Sequence, residues 1–240
     1  MSIRTAARPA LRAALTALLV LFSAGTLAAA ASPKPKKKAP ARAVTDYARA
    51  VAILRTEKGD ITIRFFQDRA PNHVKNFVDL ASSGFYDGTL FHRVIPGFVL
   101  QGGDPLTKDP KNGFVWGNAG RTDAKGQPVT LKPEFNDTPH KRGIVSMARS
   151  AAPDSASSQF FIVLKDYPSL DRQYTAFGEV VKGMDVVDRI AADSSPDPAN
   201  FNLGKPRAYQ KLVKVEILEE SAAPAPAGAP APAPAPVKKG

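Results

Sequence analysis

Apolar and polar positions alternate in short runs through the middle of the chain, which is the pattern of half-buried β-strands. In the clearest run, Ile61, Ile63 and Phe65 alternate with their neighbours. A polar turn at 57–60 joins this run to an earlier one at 51–56, which predicts that the domain opens with a hairpin. Six further strands are predicted at 91–94, 98–101, 144–148, 159–164, 175–181 and 212–218.

Two segments change to the helical spacing i, i+3, i+4, i+7. The first lies at 74–81, with Pro71 before it and Gly84 after it, and the second lies at 184–191. Many short strands and two isolated helices predict a mainly β domain. The periodicity alone allows a sandwich or a closed antiparallel barrel capped by two α-helices, and the barrel has the advantage that it removes exposed sheet edges.

The start of the chain has the three parts of a secretory signal peptide. Three arginines precede an apolar run at 13–27, and small residues follow it. We therefore predict a signal peptide over 1–31, cleaved near Ala30 or Ala31, and export to the periplasm if the source is a Gram-negative bacterium. The alternative is an uncleaved signal that anchors the protein in a membrane, because residues 13–31 come close to the ~20 that span a bilayer.

Composition divides the rest of the chain into three parts. Residues 32–48 are predicted to form a basic Pro/Lys/Ala linker, 49–219 the globular domain, and 220–240 an Ala/Pro-rich disordered tail. The linker and the tail are predicted to be solvated spacers. The alternative is that their lysines hold the protein weakly at an anionic envelope surface.

The charge of the chain excludes one class of partner. The formal net charge is +11, but residues 46–220 carry 23 basic and 22 acidic groups, so the excess belongs to the two ends. A nucleic-acid-binding domain would show a basic stripe on its folded part, and we expect no nucleic-acid partner.

Disulfides, metals and cofactors are not expected either. The chain has no cysteine, which excludes a lipid-anchored lipoprotein, and its three histidines share no metal-ligand spacing. The sequence contains no GxSxG elbow, P-loop or GxGxxG motif.

Two apolar runs carry most of the functional information, namely FHRVIPGFVLQGGD at 91–104 and SQFFIVL at 158–164. Their few polar side chains include Arg93, Gln101 and Gln159. One cationic donor and two amides among phenylalanines indicate a groove that holds an apolar group and hydrogen-bonds a backbone beside it.

Five motifs occur in the order FHRVIPGF, QGGD, SMAR, SQFF and FGEVVKGMD. Together they resemble the cyclophilins, the barrel-shaped peptidyl-prolyl cis-trans isomerases, over residues 51–217. The resemblance implies a cyclophilin-like fold: mainly β, a closed eight-stranded antiparallel barrel capped by two α-helices. It also implies rotation about X-Pro bonds, which breaks no covalent bond and needs no cofactor.

The resemblance assigns roles to residues of this chain. Arg93 matches the catalytic arginine, and its guanidinium suits a donor role in an apolar groove. Other positions match those that line the proline pocket, hold the substrate backbone or orient the arginine: Phe98, Val99, Gln101, Ala148, Arg149, Ser150, Gln159, Phe161, Leu170 and Tyr174.

Several positions depart from the best-known family pattern. Val99 replaces a methionine, Tyr174 a histidine and Arg149 an asparagine. Ser169 falls where cyclosporin-sensitive members carry tryptophan, which implies weak cyclosporin binding. The glycine-rich GTGG-type loop is not found within 105–130, and we expect this long segment to border the groove and tune the residue preferred before proline.

The sequence therefore predicts an exported, monomeric rotamase that assists the folding of proline-containing, unfolded or flexible polypeptides. One alternative is a peptide-binding chaperone or scaffold with incidental isomerase activity. Another makes the basic ends the functional part, as a tether to the cell envelope.

Overall fold

The computed structural model of the chain describes residues 46–194, 204–206 and 208–219. The predicted signal peptide, nearly all of the linker and the Ala/Pro-rich tail lie outside these residues. In the described part of the chain, no helix combines the length and the apolar character that crossing a bilayer requires.

Antiparallel strands form one nearly closed barrel, in the spatial order β3-β9-β1-β2-β8-β6-β7-β5-β4. The strands are β1 Ala50–Thr56, β2 Gly59–Phe65, β3 Leu90–Phe91, β4 Arg93–Ile95, β5 Val99–Gly102, β6 Ile144–Met147, β7 Phe160–Val163, β8 Ala176–Lys182 and β9 Gln210–Glu219. The mainly β, cyclophilin-like barrel predicted from the sequence is thereby confirmed.

Within the described residues the barrel has nine strands rather than eight, because the predicted strand at 91–94 divides at His92. On one side of this residue β3 pairs with β9, and on the other side β4 pairs with β5. The backbone N–H of His92 still donates to the carbonyl of Gln101 at 3.1 Å. The chain thus changes partner between β3 and β4, and this step joins the two ends of the sheet.

Both predicted helices are present, α1 at Pro71–Ser82 and α2 at Met184–Asp193. Their apolar faces pack with the inward-pointing side chains of the strands in one buried cluster. The amphipathic spacing read from the sequence therefore describes the faces that these helices bury.

A distant carboxylate caps the start of α1. Ala70 at the N-cap offers no side-chain bond, but Glu134 accepts from the backbone N–H groups of Asn72 and His73, each at 3.0 Å. Burial alone would raise the pKa of Glu134, yet hydrogen bonds from the His73 ring and from these N–H groups outweigh it and hold the pKa below its ordinary value. A carboxylate at a helix N-terminus is favourable because the unpaired N–H groups concentrate positive charge there.

A second, smaller apolar cluster lies on the opposite face of β5, β6, β7 and β8. It alternates with the interior residues, so that Phe160 and Ile162 point into the barrel while Phe161 and Val163 point outward. These outward side chains do not contribute to the interior of the barrel. Arg93, Gln101 and Gln159, the polar residues of the two motif runs, lie beside them.

Candidate active site

Arg93 and two glutamines form a continuous line of hydrogen bonds across the outer face of the barrel. Arg93 on β4 lies opposite Gln101 on β5, and its Nη1 donates to Oε1 of Gln101 at 3.2 Å. Nε2 of Gln101 donates to Oε1 of Gln159 at 2.9 Å, and Nε2 of Gln159 donates to the carbonyl of Ala119 at 2.7 Å. Each amide therefore fixes the orientation of the next, and the line ends at the guanidinium.

The loop that contains Ala119 is held by a residue that the sequence analysis did not single out. Asp104 is fully buried, with 0% of its surface exposed. Its carboxylate accepts from the backbone N–H groups of Leu106 at 2.8 Å, Gly117 at 2.6 Å and Ala119 at 3.3 Å. Trp116 adds a bond from its indole N–H to the carbonyl of Leu106 at 3.0 Å. The carbonyl that anchors Gln159 is thus part of a tightly hydrogen-bonded loop.

An apolar pocket lies beside Arg93. The outward cluster brings together Phe98, Val99, Phe161, Leu170 and Tyr174, all five residues predicted for the proline pocket. Val99, Phe161 and Leu170 are buried, while Phe98 and Tyr174 are partly exposed at its rim. The ring of Tyr174 meets that of Phe161 edge-on at 5.5 Å between centroids.

The charge of Arg93 faces this apolar surface. Its guanidinium carbon lies 5.8 Å from the centroid of Phe98, within cation–π distance. Burial lowers the pKa of Arg93, and the neighbouring Tyr174 opposes this effect. A guanidinium nevertheless stays protonated at neutral pH, so the site holds a permanent donor in a partly dry environment.

The predicted segment Ala148–Ser150 follows β6 and runs along the other side of the pocket. The N–H of Ala148 is bonded to the carbonyl of Gln159 at 2.8 Å, and the N–H of Ser150 is bonded to Oγ of Ser155 at 2.9 Å. Arg149 lies over the ring of Tyr174 at 4.8 Å and donates to the carbonyl of Gln173 at 3.0 Å. Arg149 therefore braces Tyr174, a contact between two residues that both depart from the best-known family pattern.

A cavity of about 510 Å³ adjoins this pocket. Five of the predicted site residues line it, together with loop residues 117–122 and hydroxyl side chains. The lining predicted residues are Gln101, Ala148, Arg149, Ser150 and Gln159. From the segment 105–130, residues 117–122, Pro128 and Thr130 belong to this lining.

A hydrogen-bonded trio lies behind the apolar pocket, and no local sequence pattern pointed to it. His140 and Ser146 are buried, while Asp171 is partly exposed. Nδ1 of His140 is 2.9 Å from a carboxylate oxygen of Asp171, and its Nε2 is 2.8 Å from Oγ of Ser146. The imidazole stacks on Phe161 with 6.3 Å between centroids and 24° between planes. Burial lowers the pKa of His140, although Asp171 opposes this effect. The ring supports Phe161 from behind.

Metal chemistry has no support in the described part of the chain, where no group of three or more His, Asp or Glu side chains could hold an ion. The site thus offers a charged donor, an apolar pocket and hydrogen-bonding groups for a backbone. These groups have the chemistry to hold an apolar ring beside a cation.

Comparison with known proteins agrees with this geometry. Residues 51–216 match the family described as cyclophilin type peptidyl-prolyl cis-trans isomerase/CLD. A probable peptidyl-prolyl cis-trans isomerase of Brucella abortus is 44% identical over 145 residues, which cover 60% of this chain and 73% of the relative. Peptidyl-prolyl cis-trans isomerase A of Dickeya dadantii is 44% identical over 144 residues, or 58% of this chain and 70% of the relative.

A solved structure has the same fold. It is a cyclophilin type peptidyl-prolyl cis-trans isomerase of Cryptosporidium parvum, crystallised in the presence of the dipeptide Ala-Pro. Its TM-score is 0.60 at 28% identity, covering 71% of this chain and 99% of that one. The chain belongs to the cyclophilin-type peptidyl-prolyl cis-trans isomerase family. It is a rotamase, as the sequence predicted.

Proposed function

We propose that this rotamase uses Arg93 to stabilise the twisted X-Pro bond in polypeptides exported with it. The observation that carries the proposal is the fixed guanidinium of Arg93, held by Gln101 beside an apolar pocket. The pocket formed by Phe98, Phe161 and its neighbours is the place for the proline ring.

The size of the task follows from the uncatalysed reaction. Rotation about a peptide bond has a barrier of about 18–20 kcal/mol because resonance must be broken. At an X-Pro bond it takes roughly 10–100 s. Turnover in about a millisecond requires an acceleration of about 10⁵, or roughly 7 kcal/mol.

Two features of the site reduce the barrier. When the C–N bond is twisted out of conjugation, the proline nitrogen regains a lone pair, and a donor aimed at it binds the transition state more strongly than either ground state. Arg93 is that donor. The pocket holds the ring while the edge of Ala148–Ser150 holds the flanking backbone, so the bound chain is restricted to one rotation.

The Ala-Pro dipeptide used with the Cryptosporidium relative supports the choice of ligand. A short apolar residue followed by proline needs an apolar pocket and a nearby hydrogen-bond donor, and the cluster around Phe161 and the guanidinium of Arg93 support these two roles. We propose that an Ala-Pro unit binds this chain in the same groove.

The proposal is tested with a short X-Pro reporter peptide, the exported form of the protein and its Arg93→Ala variant. Removing a preorganised charged donor should lower kcat by about 10²–10³-fold. Arg64→Ala is the matched control, since Arg64 is an exposed arginine on β2 that is ion-paired with Glu179. Full activity in Arg93→Ala would move the donor elsewhere, and no activity in the parent protein with the barrel folded would favour a peptide-binding chaperone.

The cavity beside the groove supports a role for the 105–130 loop in choosing the residues before proline. Deleting the loop would also remove the Ala119 carbonyl that anchors Gln159, so point variants give a cleaner test. Asn118→Ala and Thr122→Ala alter the lining, and Lys125→Ala changes a loop residue outside it. Changed relative rates across a series of Xaa-Ala-Pro peptides in the first two variants, but not in the third, would support the role. Unchanged relative rates would refute it.

We also propose that the protein is exported and acts as a monomer. The signal at 1–31, predicted to be cleaved near Ala30 or Ala31, supports a periplasmic enzyme that acts on unfolded or flexible clients. Mass spectrometry of the protein recovered from the envelope distinguishes cleavage from an uncleaved anchor. Removal of 32–45 and 221–240, followed by fractionation, tests whether the basic ends tether the protein to an anionic surface.

A further inference from the structure

The C-terminal part of this chain repeats one dipeptide, Ala-Pro, whose chemistry matches that proposed above for the groove. Residues 221–236 contain six Ala-Pro pairs, at 223–224, 225–226, 229–230, 231–232, 233–234 and 235–236. A spacer does not require this repetition, because prolines preceded by other small residues would give a segment of the same length and stiffness.

The groove has the chemistry to take such a pair. The cluster around Phe161 accepts a proline ring, and the position before it needs to accommodate only a methyl group when that residue is alanine. Residues 221–236 contain no acidic or bulky side chain, so each of the six pairs offers the same ligand. Repetition multiplies the chance that one pair is bound.

The length of the segment allows it to reach the site. Its last proline, Pro236, lies seventeen residues beyond Glu219, where β9 ends. At about 3.3 Å per residue this is up to about 55 Å of chain. A domain of about 170 residues has a radius of gyration near 16 Å, and hence a diameter of about 40 Å. The chain beyond β9 is therefore long enough for its later pairs to span the distance to the outer face of β5 and β7.

We propose that the Ala-Pro pairs of residues 223–236 bind in the proline pocket of the same molecule, as substrates in their own right and as weak competitors of other peptides. This inference rests on the proposed function. A short connection gives an effective concentration on the order of 1 mM. A pair that binds with a comparable dissociation constant occupies the pocket about half of the time, so clients with tighter-binding segments displace it.

The first experiment observes the tail directly. In the protein labelled with ¹⁵N and ¹³C, exchange spectra measure the cis–trans rate of the alanine–proline bonds at 223–236. We expect rates at least about 100-fold above the uncatalysed 0.01–0.1 s⁻¹, independent of protein concentration, and a return to the uncatalysed range in Arg93→Ala. Uncatalysed rates in the parent protein, or rates that increase in proportion to protein concentration, would overturn binding within one molecule.

The second experiment measures competition on an external reporter peptide. Replacing the six tail prolines by alanine keeps the length and charge of the segment, and should lower KM about twofold without changing kcat. Lys238→Ala with Lys239→Ala is the control, which should leave KM unchanged. If the six-proline variant has the same KM for the reporter as the parent protein, the tail does not compete for the pocket, while the rotamase function stands. Absence of reporter activity would instead count against the proposed function itself.

Discussion

Arg93 and Gln101 lie opposite one another on β4 and β5, and the arginine Nη1 donates to the glutamine Oε1 at 3.2 Å. Gln101 in turn is held by Gln159, whose own amide donates to the carbonyl of Ala119. The orientation of each amide is fixed, because Oε1 of Gln101 accepts from Arg93 and Oε1 of Gln159 accepts from Gln101. The direction of the guanidinium is therefore set by groups that lie progressively farther from it.

This arrangement predicts that Gln159 acts on the reaction through Arg93. In Gln159→Leu, Gln101 loses its acceptor and can rotate its amide, so Arg93 loses a fixed partner. Hydrogen bonds that involve a charged group contribute about 1.5–3 kcal/mol, so kcat/KM should fall by about 10- to 100-fold in the peptide assay. Gln127→Leu, an exposed loop position, is the control. Unchanged activity in Gln159→Leu would show that the amide line does not orient the arginine.

The facing pair could be predicted from the sequence, whereas the end of the line could not. The turn at 96–98 is so short that Ile95 must pair with Val99, and this register brings Arg93 opposite Gln101. Gln159 immediately precedes β7, the other neighbour of β5, and the resemblance had already placed Gln159 and Gln101 in the same site. Ala119, by contrast, lies in a loop without periodicity, forty residues from its partner.

Other features depend on contacts that leave no local pattern. The run at 91–94 reads as one strand because the side chains on both sides of His92 are strand-like, yet the two halves pair with different strands. Asp171 and His140 are 31 residues apart, and the sequence around neither residue has a pattern that predicts the contact. The family resemblance singled out Arg93, Gln101 and the residues of the apolar pocket. The contacts of Asp104 and His140 join separate parts of the chain and left no local pattern.

Stability should fall on mild acidification because of His140. Its pKa in the folded protein is lowered by burial, with Asp171 opposing, so protonation favours the unfolded chain. The contribution of such a group is complete above its unfolded pKa of about 6.5 and is lost as the pH falls through the folded value. Urea unfolding should therefore show a lower free energy of unfolding at about pH 5 than at about pH 7.5.

Burial also lowers the pKa of His73 and His92, so a variant is needed to assign the loss of stability at low pH to His140. His140→Asn should be less stable at neutral pH and should lose less stability between the two pH values than the parent does. The partner Asp171 should not titrate between these two pH values. Its pKa is lowered, first by the hydrogen bond from the backbone N–H of His140, so it titrates at still lower pH. Equal pH dependence in parent and variant would exclude His140 as a source.

Cyclosporin should bind weakly, and one substitution should strengthen binding. Ser169 is exposed in the short helical turn Pro168–Leu170, next to the buried Leu170 of the pocket. Ser169→Trp adds an indole at the rim, and covering about 100 Å² of apolar surface contributes about 2.5 kcal/mol. We expect the Kd measured by calorimetry to fall by about 10- to 100-fold, with Ser169→Ala as the control. Low-nanomolar inhibition of the parent protein would contradict the prediction.

Asp104 should connect the stability of the loop to the activity of the site. Its buried carboxylate accepts three backbone N–H bonds, and one of the donors belongs to Ala119, whose carbonyl anchors Gln159. In Asp104→Asn the side-chain nitrogen cannot accept, so a buried donor loses its partner at a cost of about 1–3 kcal/mol. Urea unfolding should show this loss, and kcat/KM should fall as well because the Ala119 carbonyl shifts.

A matched control is available in the same loop. Asp109 accepts the N–H of Lys111 at 2.9 Å in the same kind of turn, but it is exposed to solvent, so Asp109→Asn should change neither stability nor activity appreciably. Comparison of Asp104→Asn with Gln159→Leu then separates two effects. If Asp104→Asn lowers stability and leaves kcat/KM unchanged, the loop supports the fold without guiding Arg93. If both quantities fall and the double variant loses no more activity than Gln159→Leu alone, Asp104 and Gln159 act through one line of hydrogen bonds.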